Sequence, residues 1–280
     1  MRFAVLMTCF NRKEKTINCL NNLFNCFFGV PHDFDVYLVD DASTDGTVAA
    51  VRSKFPSVNI INGSGDLYWN KGMFLAFEKA LLGDYDYYFW LNDDTIIFDD
   101  SIKRMIYFSV DSYADRAPGI YVGSTCGSNG AVTYGGSLSS GFFGRFRYKK
   151  IINNLSIELC DVMNGNFVII NKEIVKKIGI IDESFEHAFG DIDYSLRARA
   201  AGFFIYLMPG VFGVCENNSI KNSFVDKCAK FSVRWRSLIS KKGLPVKSWF
   251  IFTRRHGGYF WMLYFIWPYI KFLSSCFFRK

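Results

Sequence analysis

Three acidic sets in this 280-residue chain have spacings that could do chemistry: Asp40-Asp41, Asp93-Asp94, and Asp191 with Asp193. The first two follow apolar runs at residues 36–39 and 87–91, where a buried strand would end. A carboxylate pair in such a place is costly unless something positive compensates it. A divalent cation bridging a diphosphate would do so, and hard oxygen ligands suit magnesium or manganese. The competing reading of Asp94-Thr95 is a turn or helix cap. Ser43, Thr44 and Asp45, after Asp40-Asp41, would start a helix well. An aspartate at a strand tip can also accept the imide N–H of uracil or thymine, and Thr8, ending the first apolar run, would flank the same base. A lone carboxylate beside a bound sugar, as at Asp191, could deprotonate an acceptor hydroxyl. It could equally cap a helix, with Asp193 pairing Arg197 on the surface.

The elements that must position these residues alternate. Strands are expected at 3–8, 36–39, 58–61 and 87–91. Helices are expected at 13–28, where Ile17, Leu20, Leu23, Phe24 and Phe27 recur at helical spacing, at 47–55 before Pro56, and at 72–82. Residues 121–170, rich in Gly, Ser, Asn and aromatics, suit irregular strands and binding loops, with a strand at 167–170. A short helix at 172–178 stops at Gly179, another at 192–201 is capped by Gly202, and a strand at 203–208 closes at Pro209-Gly210. This order predicts an α/β fold with a doubly wound, mainly parallel, Rossmann-like sheet. Ligands bind such sheets at the carboxyl ends of the strands, so both acid pairs should open on one edge.

Composition narrows the class. The chain is 50% hydrophobic and 18% aromatic, which excludes disorder, and it carries no repeat. Eight scattered cysteines include no C-x-x-C pair, arguing against a zinc ribbon or thioredoxin-like site and for reduced thiols. Residues 1–7 read as a first strand rather than a signal segment. The net charge of +7 is uneven: residues 221–280 hold 13 Lys/Arg and one acid, Asp226, whereas residues 1–220 are net acidic. That split predicts a catalytic domain at 1–220 and a basic, aromatic helical extension at 221–280.

Four segments in order carry a resemblance: Thr8-Cys9-Phe10-Asn11-Arg12, Val39-Asp40-Asp41-Ala42-Ser43-Thr44-Asp45-Gly46-Thr47, Leu91-Asn92-Asp93-Asp94-Thr95 and Gly190-Asp191-Ile192-Asp193-Tyr194-Ser195-Leu196-Arg197. Support comes from the segment from Gly65 to Gly72, Asn164-Gly165-Asn166-Phe167 and Asp182-Glu183-Ser184-Phe185. Over residues 2–215 the chain resembles family 2 glycosyltransferases of the GT-A fold, and within them rhamnosyltransferase-like enzymes of bacterial surface polysaccharide synthesis. The resemblance implies an inverting, metal-dependent glycosyltransferase using Mn2+ or Mg2+. Its donor would be a dTDP- or UDP-linked sugar, its acceptor a glycan or polyprenyl-diphosphate-linked hydroxyl, and its context O-antigen or capsule synthesis. Thr8, Asn11, Asp41, Asn70, Lys71, Asn92 and Asp93 would bind the donor, and Asp94 and His187 the metal. Asp191 would be the catalytic base, with Asn164, Gly165, Asn166, Trp69, Arg254 and Arg255 toward the acceptor. Three positions depart from the family pattern: Asn92 replaces the first acid of the aspartate-x-aspartate motif, Trp69 a common arginine, and Gly190 the glutamate before the base. His187 occupies the place of a histidine found in some relatives that share the last change.

The extension has an aromatic stretch at 259–278 with Pro268 and Lys271 inside it. It reads as an in-plane amphipathic anchor rather than a span, with Lys241, Lys242, Lys247, Arg254 and Arg255 drawn to anionic lipid. The alternative is packing on the catalytic domain or a dimer seam. The expected setting is cytoplasmic, peripheral on the inner face of the cell membrane, without nucleic acid. The rivals are a nucleotidyltransferase, which should carry a Gly-rich basic loop after its first strand, and an inactive nucleotide-sugar or carbohydrate-binding module.

Overall fold

The computed structural model describes residues 1–111, 118–141, 146–152 and 155–277. In chain order the elements are β1 (Arg2–Cys9), α1 (Lys13–Phe27), β2 (Asp33–Asp40), α2 (Thr47–Lys54), β3 (Asn59–Asn62), α3 (Tyr68–Ala80) and β4 (Tyr87–Leu91). There follow β5 (Ile96–Ile97), α4 (Ser101–Ile106), β6 (Gly119–Cys126), β7 (Val132–Tyr134), β8 (Gly136–Ser139), β9 (Tyr148–Lys150), β10 (Glu158–Leu159), β11 (Val162–Met163) and β12 (Phe167–Asn171). The chain continues through α5 (Lys172–Ile178), α6 (Gly190–Ala200), β13 (Phe204–Val214), α7 (Phe231–Leu238), α8 (Val246–His256) and α9 (Trp261–Phe277).

The main sheet runs β10-β13-β6-β12-β4-β1-β2-β3. β1 pairs in parallel with both β2 and β4, and β2 with β3. Residues 3–7 of β1 and all of β4 are buried, as expected of central strands covered on both faces. One face packs Leu20 and Leu23 of α1 with Val51 of α2 and Met105 of α4. The other packs Met73 and Phe77 of α3 with Ile174 of α5 and Tyr194 of α6. The wound half therefore follows the expected topology, and the acid pairs after β2 and β4 leave the sheet at one edge.

Two elements differ from expectation. β12 runs antiparallel between β4 and β6, so the sheet is mixed, though mainly parallel in its first half. β13 does not stop at Pro209-Gly210; it passes through them with register shifts, Gly210 taking φ 79°, and continues to Val214. The irregularity absorbs the residues that would end a regular strand.

After β13 the extension folds back. Trp249 and Phe252 of α8 are buried with Phe185, joined by Phe189, Ile192 and Leu196. Trp249 Nε1 donates to the carbonyl of Phe265 in α9, and the Tyr269 hydroxyl donates to that of Leu244. Among the described residues no helix is long and apolar enough to cross a membrane. Phe278, one of the aromatics of the expected anchor, lies outside the described residues.

Candidate functional site

The β1, β2 and β4 ends converge on a cavity of about 470 Å³, within the range of small-molecule sites. Its lining includes Thr8, Asp41, Trp69, Asn92, Asp93, Asp94 and His187. Thr8 packs so tightly on α3 that a Cβ at Gly72 would lie 2.3 Å from its Oγ1. That glycine lets the helix carrying Trp69 approach the strand tip.

Asp41 is buried, and its carboxylate organises the neighbouring loop. Oδ1 accepts from the Gly65 N–H at 2.7 Å, and Oδ2 from those of Leu67 and Tyr68 at 2.9 and 3.2 Å. Two lone pairs per oxygen leave Oδ1 able to accept once more. The N-cap of α2 is Gly46, at φ 81°, with no side-chain cap; Asp45 before it accepts from the Thr47 and Lys13 N–H groups. Asn11 is exposed and accepts from the Thr44 N–H; it shapes this loop and does not line the cavity.

Asp93 and Asp94 meet a cation from their own chain. Arg12 Nη1 lies 3.1 Å from Asp93 Oδ1 and 3.0 Å from Asp94 Oδ2, and Lys15 Nζ is 3.6 Å from the latter. Thr16 donates to Asp93 Oδ2, and the Cys215 thiol to Asp94 Oδ1. Burial, the largest effect, pushes the Asp93 carboxyl up to about 6 even though Arg12 opposes it. Asn92 accepts from Trp69 Nε1 at 2.9 Å, which fixes the indole in the cavity wall.

His187 holds its ring edge-on to Tyr68, with a buried Nδ1 that has no hydrogen-bond partner. Burial and the charges of Lys242 and Arg12 depress it to about 4, so the imidazole is neutral near neutral pH, the form that ligates metals. Among the described residues no three His, Cys, Asp or Glu side chains form a ready ligand cluster. The carboxylates and the neutral imidazole line the same cavity; by donor type they suit a hard cation that takes most of its shell from phosphate oxygens and water.

Asp191 lies in the first turn of α6. It is not the N-cap; that position belongs to Phe189, at φ 78°. Its oxygens accept from the Ile192 N–H at 2.8 Å and the Gly165 N–H at 3.2 Å. Burial raises its pKa against those N–H groups and a hydrogen bond from Asn164. Asp191 is not part of the cavity lining, but Gly165, which holds it, packs against the Trp69 ring; a Cβ there would sit 2.5 Å from the indole. Asp193 is not on the surface. It is wholly buried, pairing with Arg197 at 2.8 Å, Arg255 at 2.7 Å and His256 at 2.8 Å.

Several expected contacts fall elsewhere. Asn70 is fully buried, its amide donating to the carbonyls of Asp182 and Phe185, so it braces the segment before α6 rather than facing a donor. Lys71 does not line the cavity. Asn166 is buried, donating to Cys215 Sγ and accepting from the Asn92 N–H. Arg255 is committed to Asp182 and Asp193, while Arg254 is exposed. Lys241 and Lys242, read as lipid-facing, line the cavity instead. Lys241 Nζ is 2.6 Å from Asp66 and 4.5 Å from the Tyr68 ring centre. Of the five basic residues assigned to lipid, Lys247 and Arg254 keep an outward position clear of the cavity. Sequence reasoning missed Arg12 although it stood in the first motif: it is the N-cap of α1, and nothing in the spacing of its segment points to the Asp93–Asp94 pair it meets.

The fold is a doubly wound α/β domain with an acid-lined cleft at its strand ends. A family model, glycosyl transferase family 2, matches residues 4–179, more than half of the chain, and the protein belongs to that family. No curated protein matches by sequence. Among solved structures, TarS 1-349 of S. aureus aligns with TM-score 0.55 and 18% identity, covering 77% of this chain and 60% of that one. The chain thus spans less than two thirds of that structure. A TarS structure in complex with UDP aligns at TM-score 0.56 and 15% identity over 93% of this chain and 72% of that one. The mannosyltransferase PcManGT of Pyrobaculum calidifontis, in complex with GDP-Man and Mn2+, aligns at TM-score 0.57 and 16% identity, covering 98% of this chain and 73% of that one. At these identities the likeness is one of fold.

Proposed function

We propose that the protein is an inverting glycosyltransferase that moves a sugar from a nucleoside-diphosphate donor to an acceptor hydroxyl. The observation that carries this is the convergence of Thr8, Asp41, Asp93 and Asp94 from three neighbouring strand ends on one cavity. Asp41 retains acceptor capacity for the imide N–H of uracil or thymine beside Thr8, and Asp93 would lie by the ribose or the sugar. Asp94, with His187, would hold Mn2+ or Mg2+; a cation there supplies neutralising charge to the departing diphosphate. The Mn2+ and GDP-Man of the mannosyltransferase complex, and the UDP of the TarS complex, support that reading.

Asp191, poised by the Gly165 and Ile192 N–H groups, takes the proton of the acceptor hydroxyl as that oxygen attacks the anomeric carbon opposite the leaving diphosphate. Trp69 would bound the acceptor side. By analogy the sugar is rhamnose and the acceptor a glycan or polyprenyl-diphosphate-linked hydroxyl in surface polysaccharide synthesis. Such an acceptor accords with peripheral attachment to the inner membrane face. Tyr259, Met262, Leu263, Ile266, Trp267, Ile270 and Leu273 recur at helical spacing on and just before α9 and are exposed. We assign residues 1–220 to catalysis and 221–280 chiefly to attachment.

The test is Asp191→Asn with a panel of nucleotide sugars and radiolabelled acceptor. Transfer should fall 10²- to 10⁴-fold, the usual contribution of a general base, while calorimetric donor binding stays within about threefold. Near-wild-type turnover would remove Asp191 from the reaction. Release of pyrophosphate rather than nucleoside diphosphate would favour a nucleotidyltransferase.

A further inference from the structure

The Arg12 guanidinium is placed where the carboxylate pair needs a positive charge. One nitrogen, Nη1, reaches both Asp93 and Asp94, at 3.1 and 3.0 Å. Thr16 and Cys215 each donate to the other oxygen of these acids. A divalent cation seated on Asp93 Oδ1 and Asp94 Oδ2 would take the place Arg12 Nη1 holds between them, beside Lys15 Nζ at 3.6 Å from Asp94 Oδ2. Among the described residues no second acidic partner holds Arg12, its side chain is 39% exposed, and it lines the same cavity. A displaced guanidinium on this wall faces the space assigned to the donor, and its fork of N–H donors matches phosphate oxygens.

We propose that Arg12 is a resident counter-ion that exchanges the Asp93–Asp94 pair for the donor's diphosphate, so that divalent cation and nucleotide enter as a coupled pair. This rests on the reading of Asp94 as a cation ligand. With Arg12 on the acids, a cation arriving alone displaces a favourable charge and gains little. With the diphosphate present, the displaced guanidinium gains a new partner and the cation gains phosphate oxygens. Each ligand then strengthens the other, by the same factor in either order. Arg12 acts here as a positioning residue, through the acids and the diphosphate rather than on the reacting carbon.

The experiment is calorimetric titration of the full chain with Mn2+ alone, with UDP or dTDP alone, and with Mn2+ in the presence of each nucleotide. Wild type, Arg12→Gln, Arg12→Lys and Asp94→Asn are compared, with circular dichroism confirming that each is folded. In wild type the nucleotide should tighten Mn2+ binding at least tenfold. In Arg12→Gln, Mn2+ alone should bind at least tenfold tighter than in wild type, and the mutual enhancement should shrink to about threefold or less. Arg12→Lys should restore part of the enhancement. Arg12→Gln that binds Mn2+ alone no better than wild type, or keeps the full enhancement, overturns the exchange. If that happens while Asp94→Asn still abolishes Mn2+ binding, the cation site stands and only the exchange fails. If no folded protein binds Mn2+ with either nucleotide, the cation site and the exchange fall together.

Discussion

Asp193→Asn is the most informative perturbation outside the cleft, because one carboxylate ties α6 to the extension. Asp193 is wholly buried; Oδ2 pairs with Arg197 Nε, and Oδ1 with both Arg255 Nη1 and His256. Burial alone would push its pKa up, but His256, Arg197 and Arg255 outweigh it and hold it below the usual carboxylate value. Removing one partner of a buried ion pair costs about 3–5 kcal/mol. The lower end applies here, because the cations keep other acceptors: Arg197 donates to the carbonyls of Ile178 and Ile180, and Arg255 pairs with Asp182. A loss of about 3 kcal/mol predicts a fall in Tm of about 6–12 °C for a protein of this size. Because the folded pKa is depressed, this stabilisation is present above the unfolded carboxylate value of about 3.9 and is lost as the pH falls below it. The difference between wild type and Asp193→Asn should therefore be full at pH 7 and shrink below about pH 4. Thermal unfolding and limited proteolysis across the segment between β13 and α8 read this out. A loss under about 1 kcal/mol at pH 7, with unchanged proteolysis, would refute the view that this buried cluster fastens the extension.

Three further outcomes are expected. Gly190→Ala should destabilise by about 1–3 kcal/mol, the cost of overpacking, because its Cβ would meet Asn70 Oδ1 at 1.5 Å and Ile181 at 3.2 Å; chemical denaturation measures it, and an unchanged midpoint would contradict the contact. A general base must be deprotonated and Asp191 is pushed upward by burial, so kcat should fall on the acid side at a pH above the ordinary aspartate range; a profile with no acid limb above pH 4 would argue against it. Replacing Leu263, Ile266 and Trp267, all exposed on α9, together by Gln should lower flotation with phosphatidylglycerol vesicles at least tenfold, since each buried apolar side chain contributes about 1.5–3 kcal/mol; equal flotation would leave the anchor without its contact face.

Local signals carried much of the architecture. Apolar runs at residues 3–7 and 87–91 mark buried central strands, parallel to each other, because a central strand alternates neither face with water. Since β1, β2 and β4 are parallel, the acids after β2 and β4 had to emerge on one side, and Asp41, Asp93 and Asp94 share a cavity as that reasoning required. What eluded the sequence were contacts made at long range. Arg12 reaches acids about eighty residues away, and nothing in the spacing of either segment announces that a local cation faces them. Lys241 and Lys242 read as part of a basic tail, yet a backfold brings them to the cavity. Arg255 likewise finds carboxylates on other elements. The departure at Gly190, striking in sequence only as a missing acid, has a steric account: the Asn70 amide oxygen fills the space a side chain would need.

Ser240, Lys241 and Lys242, which join α7 to α8, form part of the wall around the cavity at the strand ends. A truncation designed to make the protein easier to handle would thus remove part of that wall along with the exposed apolar helix. On the proposed function, a tail exchanged between relatives would bring with it a piece of the cavity as well as an apolar face.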